Sequence, residues 1–386
     1  MNPYDFVPLD VAYPPERHQP IWHNVLAPNT AHPAKLYSGT LFLYIKTETP
    51  LFIRDGNASQ APDVLKEHIR DKAGQQIIPS TAIKGLIRTV VETLCRGCMT
   101  VFNKPYEYRE DILTLVPQAF LRCQNNNSLC VACRLFGMMQ TGQRNAGVFL
   151  GKVNIGDAKV YEDSLNFHTP IFTAVLDTPK PRHKAFYLNN QGFIAGRKFY
   201  FHNENLLTAN SLIPIGDTGR FRNQHIKPLD TGVEFEARID FTNLESDEFA
   251  ALLFAVAMRF NEQWDMRHKI GYGKPIGLGS IRIDPTKLRL VDYATRYTAS
   301  STKHGIKEYE LDEVTKLVNT QMASFDDPLM HAAWVRFSNQ PALGQLYDIW
   351  EWPPDNTVKY AYPSQRWFRD TRNTHKTISA TRDLWE

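Results

Sequence analysis

Hydrophobic and polar residues alternate along several stretches of this chain. A period of two residues is typical of a β-strand that buries one face, and it predicts strands over 39–48, 147–155, 233–241 and 280–283. Apolar residues at helical spacing predict two helices, over 80–94 and 245–260. Ser80 or Thr81 can cap the first helix with a side-chain oxygen. The predicted elements therefore run strand, helix, strand, and then repeat that order.

This order of elements predicts an α+β fold with a ferredoxin-like (RRM-like) βαββαβ core and long insertions. The core domain is expected over 37–290, and it contains a long, strand-poor insertion at about 160–228. A proline-studded, irregular arm is expected over 1–36. A C-terminal helical appendage and tail are expected over 291–386, with a helical segment at about 309–338. A short helical turn is predicted over 63–70.

The composition is that of an ordinary globular protein: of 386 residues, 42% are hydrophobic and 22% are charged. No apolar stretch approaches the roughly 20 residues that a membrane helix needs. The first residues lack the basic and apolar regions of a secretory signal. We therefore expect a soluble, cytoplasmic protein without a membrane partner.

Positive charge is concentrated in one segment, although the net charge of the chain is only +3. Residues 180–227 contain eight lysines and arginines but only two acidic residues. A basic segment on a slightly acidic body is typical of a polyanion-binding insertion, and a solvated loop is the alternative. The cations assigned to polyanion binding are Lys180, Arg182, Lys184, Arg197 and Lys198.

All five cysteines lie within residues 95–133, spaced C-x2-C, then 24 residues, then C-x6-C-x2-C. An odd number of cysteines without an export signal argues against a disulfide framework. Two C-x2-C pairs suit a tetrahedral Zn²⁺ in a zinc knuckle, and buried cysteines without a ligand are the alternative. Cys95 extends the apolar face of the first helix, so we assign it to packing. The predicted ligands are Cys98, Cys123, Cys130 and Cys133, and four thiolates make the zinc structural, with no open position for catalysis.

The start of the first helix presents groups that bind phosphate. A helix N-terminus has free N–H groups, and Pro79 ends an extended segment just before it. Lys84 and Arg88 are four residues apart, so they share one face of the helix. A phosphate backbone is a natural ligand for this arrangement, and ordinary solvated charges are the alternative.

A glycine-rich string, GYGKPIGLGS, occupies residues 271–280. It follows a helix and precedes a strand, which is the reverse of a dinucleotide-binding loop and excludes that function. Its glycines allow close approach of another backbone, while Tyr272 can stack on a base and Lys274 can meet a phosphate. The string therefore suits an RNA strand, and a tight turn is the alternative.

Together these strings resemble the RAMP superfamily, the repeat-associated proteins of CRISPR systems. "IPSTAIKGLIR" is similar to the family string "IPGSSLKGxLR", "CVACRLFG" to "CxxCxLFG", and "GYGKPIGLGSI" to the C-terminal glycine-rich loop. "NPYDFVPL", "YSGTLFLYIKTETPLFI" and "VKYAYP" also resemble the single-RAMP subunits of type III systems, the Cas seven-like backbone group. The resemblance extends from residue 3 to about residue 363.

The resemblance implies a crRNA-binding backbone subunit of a type III CRISPR effector ribonucleoprotein, an antiviral defense complex. Its partners would be crRNA, target RNA and other effector subunits. The basic insertion is a candidate for the thumb that displaces a nucleotide, or for a groove that holds the target strand. The residues that match RNA-contacting strings of the family are Ser80, Thr81, Lys84, Arg88, Arg134, Gly271, Tyr272, Gly273 and Lys274.

Many of these subunits also act as endoribonucleases. They cut target RNA by attack of a 2′-OH, with an acidic residue in the loop before the signature helix, which corresponds here to the helix predicted over 80–94. The resemblance implies that this carboxylate holds a divalent ion such as Mg²⁺, which stabilises the developing charge. Asp55 and Asp63 are the predicted catalytic residues. Neither lies in a "GGxD" string, so a copy that holds RNA without cutting it is the alternative.

Two other functions agree with parts of the sequence. A repeat-RNA processing endoribonuclease of the same superfamily would need a catalytic histidine near the first helix, where His68 is the candidate. A zinc-stabilised scaffold protein without nucleic acid would make the ordered strings a coincidence. The backbone subunit accounts for all of them.

Overall fold

An antiparallel sheet and the helices packed on it build the fold of the computed structural model, which describes residues 1–22, 35–56, 64–99, 112–139, 147–176, 183–218, 220–258, 264–298, 305–310 and 327–378. Its strands are β1 (Tyr4–Val7), β2 (Tyr37–Thr47), β3 (Lys66–Glu67), β4 (Ile77–Ile78), β5 (Met138–Met139), β6 (Val148–Phe149), β7 (Val153–Ile155), β8 (Ala158–Val160), β9 (Ile171–Thr173), β10 (Arg197–Tyr200), β11 (Thr208–Ala209), β12 (His225–Lys227), β13 (Glu234–Leu244), β14 (His268–Lys269), β15 (Ser280–Val291) and β16 (Ile306–Glu310). Its helices are α1 (Ser80–Leu94), α2 (Val131–Phe136), α3 (Ser246–Ala257), α4 (Tyr293–Thr298), α5 (Pro328–Ser338), α6 (Pro341–Trp350) and α7 (Gln365–Arg369). The fold is therefore mixed α+β.

The central sheet is antiparallel, and β2 lies in its middle. Strand β2 pairs with β13 on one side and with β15 on the other. Strands β7 and β8 pair with the far side of β13. Along β2, buried Leu41, Leu43 and Ile45 alternate with less buried residues, because neighbouring side chains of a strand point to opposite faces. The strict alternation in the sequence thus located β2 and β13, while β15 continues further than predicted.

Helices α1 and α3 pack against each other and against this sheet. Helix α1 buries an apolar face that includes Ile83, Ile87 and Val90. Helix α3 is buried along nearly its whole length because α5 covers its outer side, where the rings of Phe254 and Trp334 lie 4.8 Å apart. The C-terminal helices therefore share the main hydrophobic core. Among the described helices, none is both long and apolar enough to cross a lipid bilayer.

A second, four-stranded sheet lies mostly within the insertion, in the order β11–β9–β12–β3. Its buried residues Ile171 and Ile226 pack with Phe52, Ile276 and Leu278. Phe52 follows β2, and the other two lie in the glycine-rich segment. The insertion therefore holds more strand structure than the sequence predicted. Its sheet packs on both the segment after β2 and the glycine-rich segment.

The two ends of the chain pack together. Strand β1 pairs with β10, so part of the arm is a strand where irregular structure was expected. The rings of Tyr4 and Tyr362 lie 6.0 Å apart, and the N–H group of Ala361 donates to the carbonyl oxygen of Met1 at 2.9 Å. The C-terminal tail thus covers the N-terminal strand.

Extended structure replaces helix in two places. Strand β3 occupies part of residues 63–70, where a helical turn was predicted, and β16 occupies the start of the segment predicted as helical over 309–338. Residues 311–326 lie outside the described residues, and α5 begins at Pro328. Each of these strands is held by a distant partner, β12 or β15, which a local sequence pattern does not reveal.

Candidate nucleic-acid interface and metal centre

Four cysteines meet where α1 ends and α2 begins. Cys98, Cys123, Cys130 and Cys133 are all buried, and their sulfur atoms lie within 4.8 Å of one another. The sulfurs of Cys98 and Cys133 are 3.6 Å apart. A tetrahedral zinc–thiolate site puts its sulfurs about 3.8 Å apart, given a Zn–S bond of about 2.3 Å. The four residues chosen from the spacing are therefore positioned to bind a metal ion and are compatible with structural zinc, whereas Cys95 is buried in the core outside this group.

Hydrogen-bond donors lie next to three of the four sulfurs. The N–H group of Cys98 donates to Sγ of Cys130 at 3.4 Å, and that of Cys130 donates to Sγ of Cys123 at 3.3 Å. Nε of Arg17 lies 3.4 Å from Sγ of Cys123, and Nη2 of Arg88 lies 3.7 Å from Sγ of Cys133. Two guanidinium charges favour the thiolate, which is the form that binds a metal. Sequence reasoning missed Arg17, because its position far from the cysteines in the chain gives no local signal.

A carboxylate holds the first turn of α1. Oδ1 of Asp157 accepts a hydrogen bond from the N–H group of Ser80 at 2.6 Å. The residue at the N-cap is Pro79, so the prediction that Ser80 or Thr81 caps this helix through its hydroxyl is wrong. Thr81 is exposed. Asp157 lies 77 residues from Ser80 in the chain, which is why no local pattern predicted it.

Lys84 and Arg88 lie on the same helix in different surroundings. Nε of Arg88 donates to Glu92 at 2.8 Å, and its Nη1 donates to the carbonyl oxygen of Gly137 at 3.0 Å. Lys84 is partly exposed, and burial, followed by the charge of Arg88, lowers its pKa. Lys84 is therefore the cation of α1 that faces solvent, whereas Arg88 joins the helix to the metal centre.

Arg134 lies in a buried cluster of charges. Only 1% of the residue is exposed, and its guanidinium donates to Glu245 at 2.9 Å, Asp247 at 2.5 Å and Glu248 at 3.0 Å. Nζ of Lys152 also donates to Glu248, at 2.8 Å. Burial raises the pKa of Glu248, although Arg134 and Lys152 oppose the rise. This cluster ties α2 to α3 and leaves Arg134 no surface for RNA, which corrects its assignment as an RNA contact.

The cations of the basic insertion divide into internal and surface groups. Arg197 is 6% exposed and donates to Glu92 at 3.1 Å and to two backbone carbonyls beside the metal centre, so it too is not placed for RNA. Nζ of Lys198 lies 3.7 Å from the ring centroid of Tyr4, and burial lowers its pKa to about 8. Lys184 is exposed. Lys180 and Arg182 lie outside the described residues.

The glycine-rich segment packs on the chain that follows β2. Gly271 has φ +83°, and a Cβ there would lie 2.6 Å from the carbonyl oxygen of Phe52. The N–H group of Tyr272 donates to the same oxygen at 2.9 Å. Burial raises the pKa of the Tyr272 phenol and lowers the pKa of the Lys274 amine, and both side chains are partly exposed. Gly273 also has a left-handed backbone, with φ +73°. The segment thus brings an aromatic ring, and a cation two residues further along, to the chain between β2 and β4 (residues 48–76), which we call the acidic loop.

His68 joins the acidic loop to the start of α1. Its Nδ1 accepts a hydrogen bond from the N–H group of Ile53 at 3.2 Å, and its Nε2–H donates to the carbonyl oxygen of Ile77 at 2.9 Å. The residue is 2% exposed, and burial lowers its pKa to about 4. A neutral, buried imidazole with both nitrogens bonded does not serve as a general acid or base. His68 therefore does not supply the histidine that a repeat-RNA endoribonuclease would need.

The structure describes only one of the two predicted catalytic residues. Asp55 is partly exposed at the end of the segment that packs on the glycine-rich loop. Asp63 lies outside the described residues. Of the other acids in this loop, Glu67 pairs with Arg70 at 2.7 Å, and Asp71 accepts hydrogen bonds within a turn. Among the described acidic residues of this loop, Asp55 is therefore the nearest in sequence to Phe52, which contacts the glycine-rich segment.

A family model for the RAMP superfamily matches residues 44–282. This range contains the metal centre, the glycine-rich segment and most of the central sheet, and it spans more than half of the chain. The chain therefore belongs to the RAMP superfamily, which is linked to CRISPR-associated RNA-binding proteins. No curated protein matches the chain.

The burial of His68 predicts a pH dependence of stability. The folded-state pKa of His68 is about 4, below the ordinary 6.5. At pH values between these two, the unfolded chain therefore binds a proton on His68 that the folded protein does not bind. Its stabilisation is complete above about pH 6.5 and is lost as the pH falls toward 4, by up to about 3 kcal/mol. In urea unfolding at several pH values, His68→Gln should be less stable than the wild type at neutral pH but lose less stability on acidification. His375→Gln, at an exposed site, should follow the wild type. Parallel curves for His68→Gln and the wild type would contradict this account.

Proposed function

We propose that this protein is a crRNA-binding backbone subunit of a type III CRISPR effector complex and holds the guide for target RNA recognition. The observation that most supports this is the hydrogen-bonded path from Tyr272 through Phe52 and His68 to the start of α1. The path puts the glycine-rich loop, the acidic loop and the signature helix next to one another. Two loops and a helix start that lie side by side can together contact an extended RNA strand. Its partners are crRNA, target RNA and other effector subunits, and a cytoplasmic location stays our prediction.

The proposal includes a ferredoxin-like core. The antiparallel order β15–β2–β13, with β7 and β8 beyond β13, agrees with the βαββαβ plan. Helix α1 follows β2, and α3 follows β13, as that plan requires. The insertions that separate these elements carry the metal centre and the small sheet.

We assign the thumb to a hairpin of the basic insertion. Residues 213–215 and 220–222 pair through hydrogen bonds from Arg222 to Ile213 and from Ile215 to Arg220, at 2.9 and 2.8 Å. The side chain of Asn223 anchors its base through hydrogen bonds to the backbone of Thr173, Ser211 and Ile213. Arg220 is exposed and Arg222 partly so, and two isoleucines of the hairpin are each 37% exposed. An exposed strand pair with cations and apolar side chains suits insertion between nucleotides.

Replacing Lys84 and Lys274 with alanine together should weaken crRNA binding for every guide sequence, because lysines contact phosphates and not bases. The slope of log affinity against log salt should become shallower by about one to two units, since each lost phosphate contact removes about 0.7–0.9. Fluorescence anisotropy over a series of salt concentrations measures both. The control is Lys307→Ala with Lys359→Ala, two exposed lysines outside the path. An unchanged slope, or a loss confined to one guide, would show that these residues are not the phosphate clamp.

We also propose that the four-cysteine site holds a structural zinc, which stabilises the segment between α1 and α2 when bound. Cys130→Ser with Cys133→Ser should lose about one zinc per chain by elemental analysis and unfold this segment. Cys95→Ser changes a buried cysteine outside the site and should keep its zinc. Stoichiometric zinc in the double variant would reject the assignment.

For target cleavage we propose Asp55 as the carboxylate, with the alternative that this copy holds RNA without cutting it. A carboxylate is the hard oxygen ligand that Mg²⁺ prefers, and the ion would stabilise charge that develops when a 2′-OH attacks. The contact between Gly271 and Phe52 supports this choice, because it holds the chain three residues before Asp55. Asp63 is the second choice from the sequence.

Asp55→Ala should abolish one cut in target RNA while target binding is unchanged, since the carboxylate acts on the transition state. The assay compares fragment ladders from assembled complexes with labelled target RNA and Mg²⁺. Asp63→Ala tests the second choice, and Asp163→Ala, at an exposed site elsewhere, is the control. A full ladder from both single variants and from the double would mean that this subunit only holds RNA.

A further inference from the structure

The outer face of the small sheet carries an aromatic stack. Phe172 on β9 lies directly opposite His225 on β12, and their ring centroids are 4.3 Å apart with planes inclined at 20°. The neighbouring residues Ile171 and Ile226 point to the opposite face, where they are buried against the glycine-rich segment. Phe172 and His225 themselves are only partly buried. The stack therefore stands on the face of this sheet that is turned away from the core.

A cation extends the same face and lies against a further ring. Lys227 follows His225 by two residues, so both side chains are on one side of β12. Nζ of Lys227 lies 4.6 Å from the ring centroid of Phe167, and both residues are partly exposed. The face thus offers stacked π surfaces next to a positive charge. That combination is what proteins use to hold unpaired bases and the phosphates between them.

The position of the sheet connects this face with the proposed RNA path. Its buried side packs on Phe52, Ile276 and Leu278, and Tyr272 packs against the same cluster. The N–H group of Leu207, just before β11, also donates to the carbonyl oxygen of Ile276 at 3.1 Å. A strand held at Tyr272 and Lys274 is therefore adjacent to the small sheet, and its unpaired nucleotides would reach the aromatic face by passing an edge of this sheet.

We propose that the outer face of the small sheet binds unpaired RNA bases by stacking on Phe172 and His225, with Lys227 meeting an adjacent phosphate. This rests on the proposed function, because it takes RNA as the partner. The same chemistry accepts an unpaired segment of either the guide or the target.

Substitutions at Phe172 separate stacking from packing. Phe172→Leu keeps an apolar side chain but removes the π surface, and it should weaken binding by at least about fivefold, since one base–aromatic stack is worth about 1–3 kcal/mol. Phe172→Trp should bind at least as tightly as the wild type, and RNA should quench its fluorescence relative to the same variant without RNA. Tyr161→Leu, an aromatic residue exposed elsewhere, is the control. Thermal unfolding shows whether each variant folds as the wild type does.

The salt dependence separates the two roles. Phe172→Leu should leave the slope of log affinity against log salt unchanged, while Lys227→Ala should make it shallower by about 0.7. Labelled repeat-derived guide RNA and labelled target RNA are tested separately, and loss of affinity with either one supports the proposal and identifies the strand. Wild-type affinity of Phe172→Leu for both RNAs would overturn this inference alone. Failure of the wild type to bind either RNA would overturn the proposed function and this inference together.

Discussion

The hydrogen bonds of His68 are the constraint on which the candidate interface depends. One neutral ring accepts from Ile53 and donates to Ile77, so it joins the chain leaving β2 to the strand that leads into α1. Both partners are backbone groups in a buried place, where an unmade hydrogen bond costs about 1–3 kcal/mol. The glycine-rich loop is attached to the same chain at Phe52, one residue earlier. The relative positions of the loop, the acidic residue and the helix therefore follow from a few contacts around one imidazole.

Burial decides which of the many cations can meet a polyanion. The sequence does not separate the arginines that could meet RNA from those that could not. Each of three arginines bonds groups inside the protein: Arg88, Arg134 and Arg197. The cations Lys84 and Lys274 are instead partly exposed. A guanidinium has several donors in a fixed plane, so it can join elements by bonding carboxylates and carbonyls at once. A lysine presents a single ammonium on a flexible stem and suits a phosphate at the surface. Arg88, Arg134 and Arg197 use that difference inside the protein, although Lys152 is a buried lysine that bonds Glu248.

Local patterns in the sequence were sufficient for β2 and β13, the two core helices and the four-cysteine set. Strand β2 and helix α1 bury one face with a regular period, and the cysteines have metal-ligand spacing, so neighbouring residues carry the signal. The hydrogen bond from Ser80 to Asp157 and the pairing of β1 with β10 depend on contacts between distant segments. The misassigned Arg134 shows the same limit. Its charge is visible in the sequence, but the three carboxylates that enclose it belong to a helix more than 100 residues away.

The metal centre and the RNA path are mechanically connected through α1. Arg88 bonds the carbonyl oxygen of Gly137 and lies beside a sulfur of the metal centre, and it stands one helical turn after Lys84. Arg197, at the start of β10 in the insertion, makes the connection on the other side. It donates to the carbonyl oxygens of Gly97 and Cys98, and Cys98 is the first of the four cysteines. A closed thiolate site has no position left for substrate. In the proposed complex, this site contributes to RNA binding by holding α1 and the basic insertion at fixed positions, so that an extended strand meets Lys84 and the insertion together.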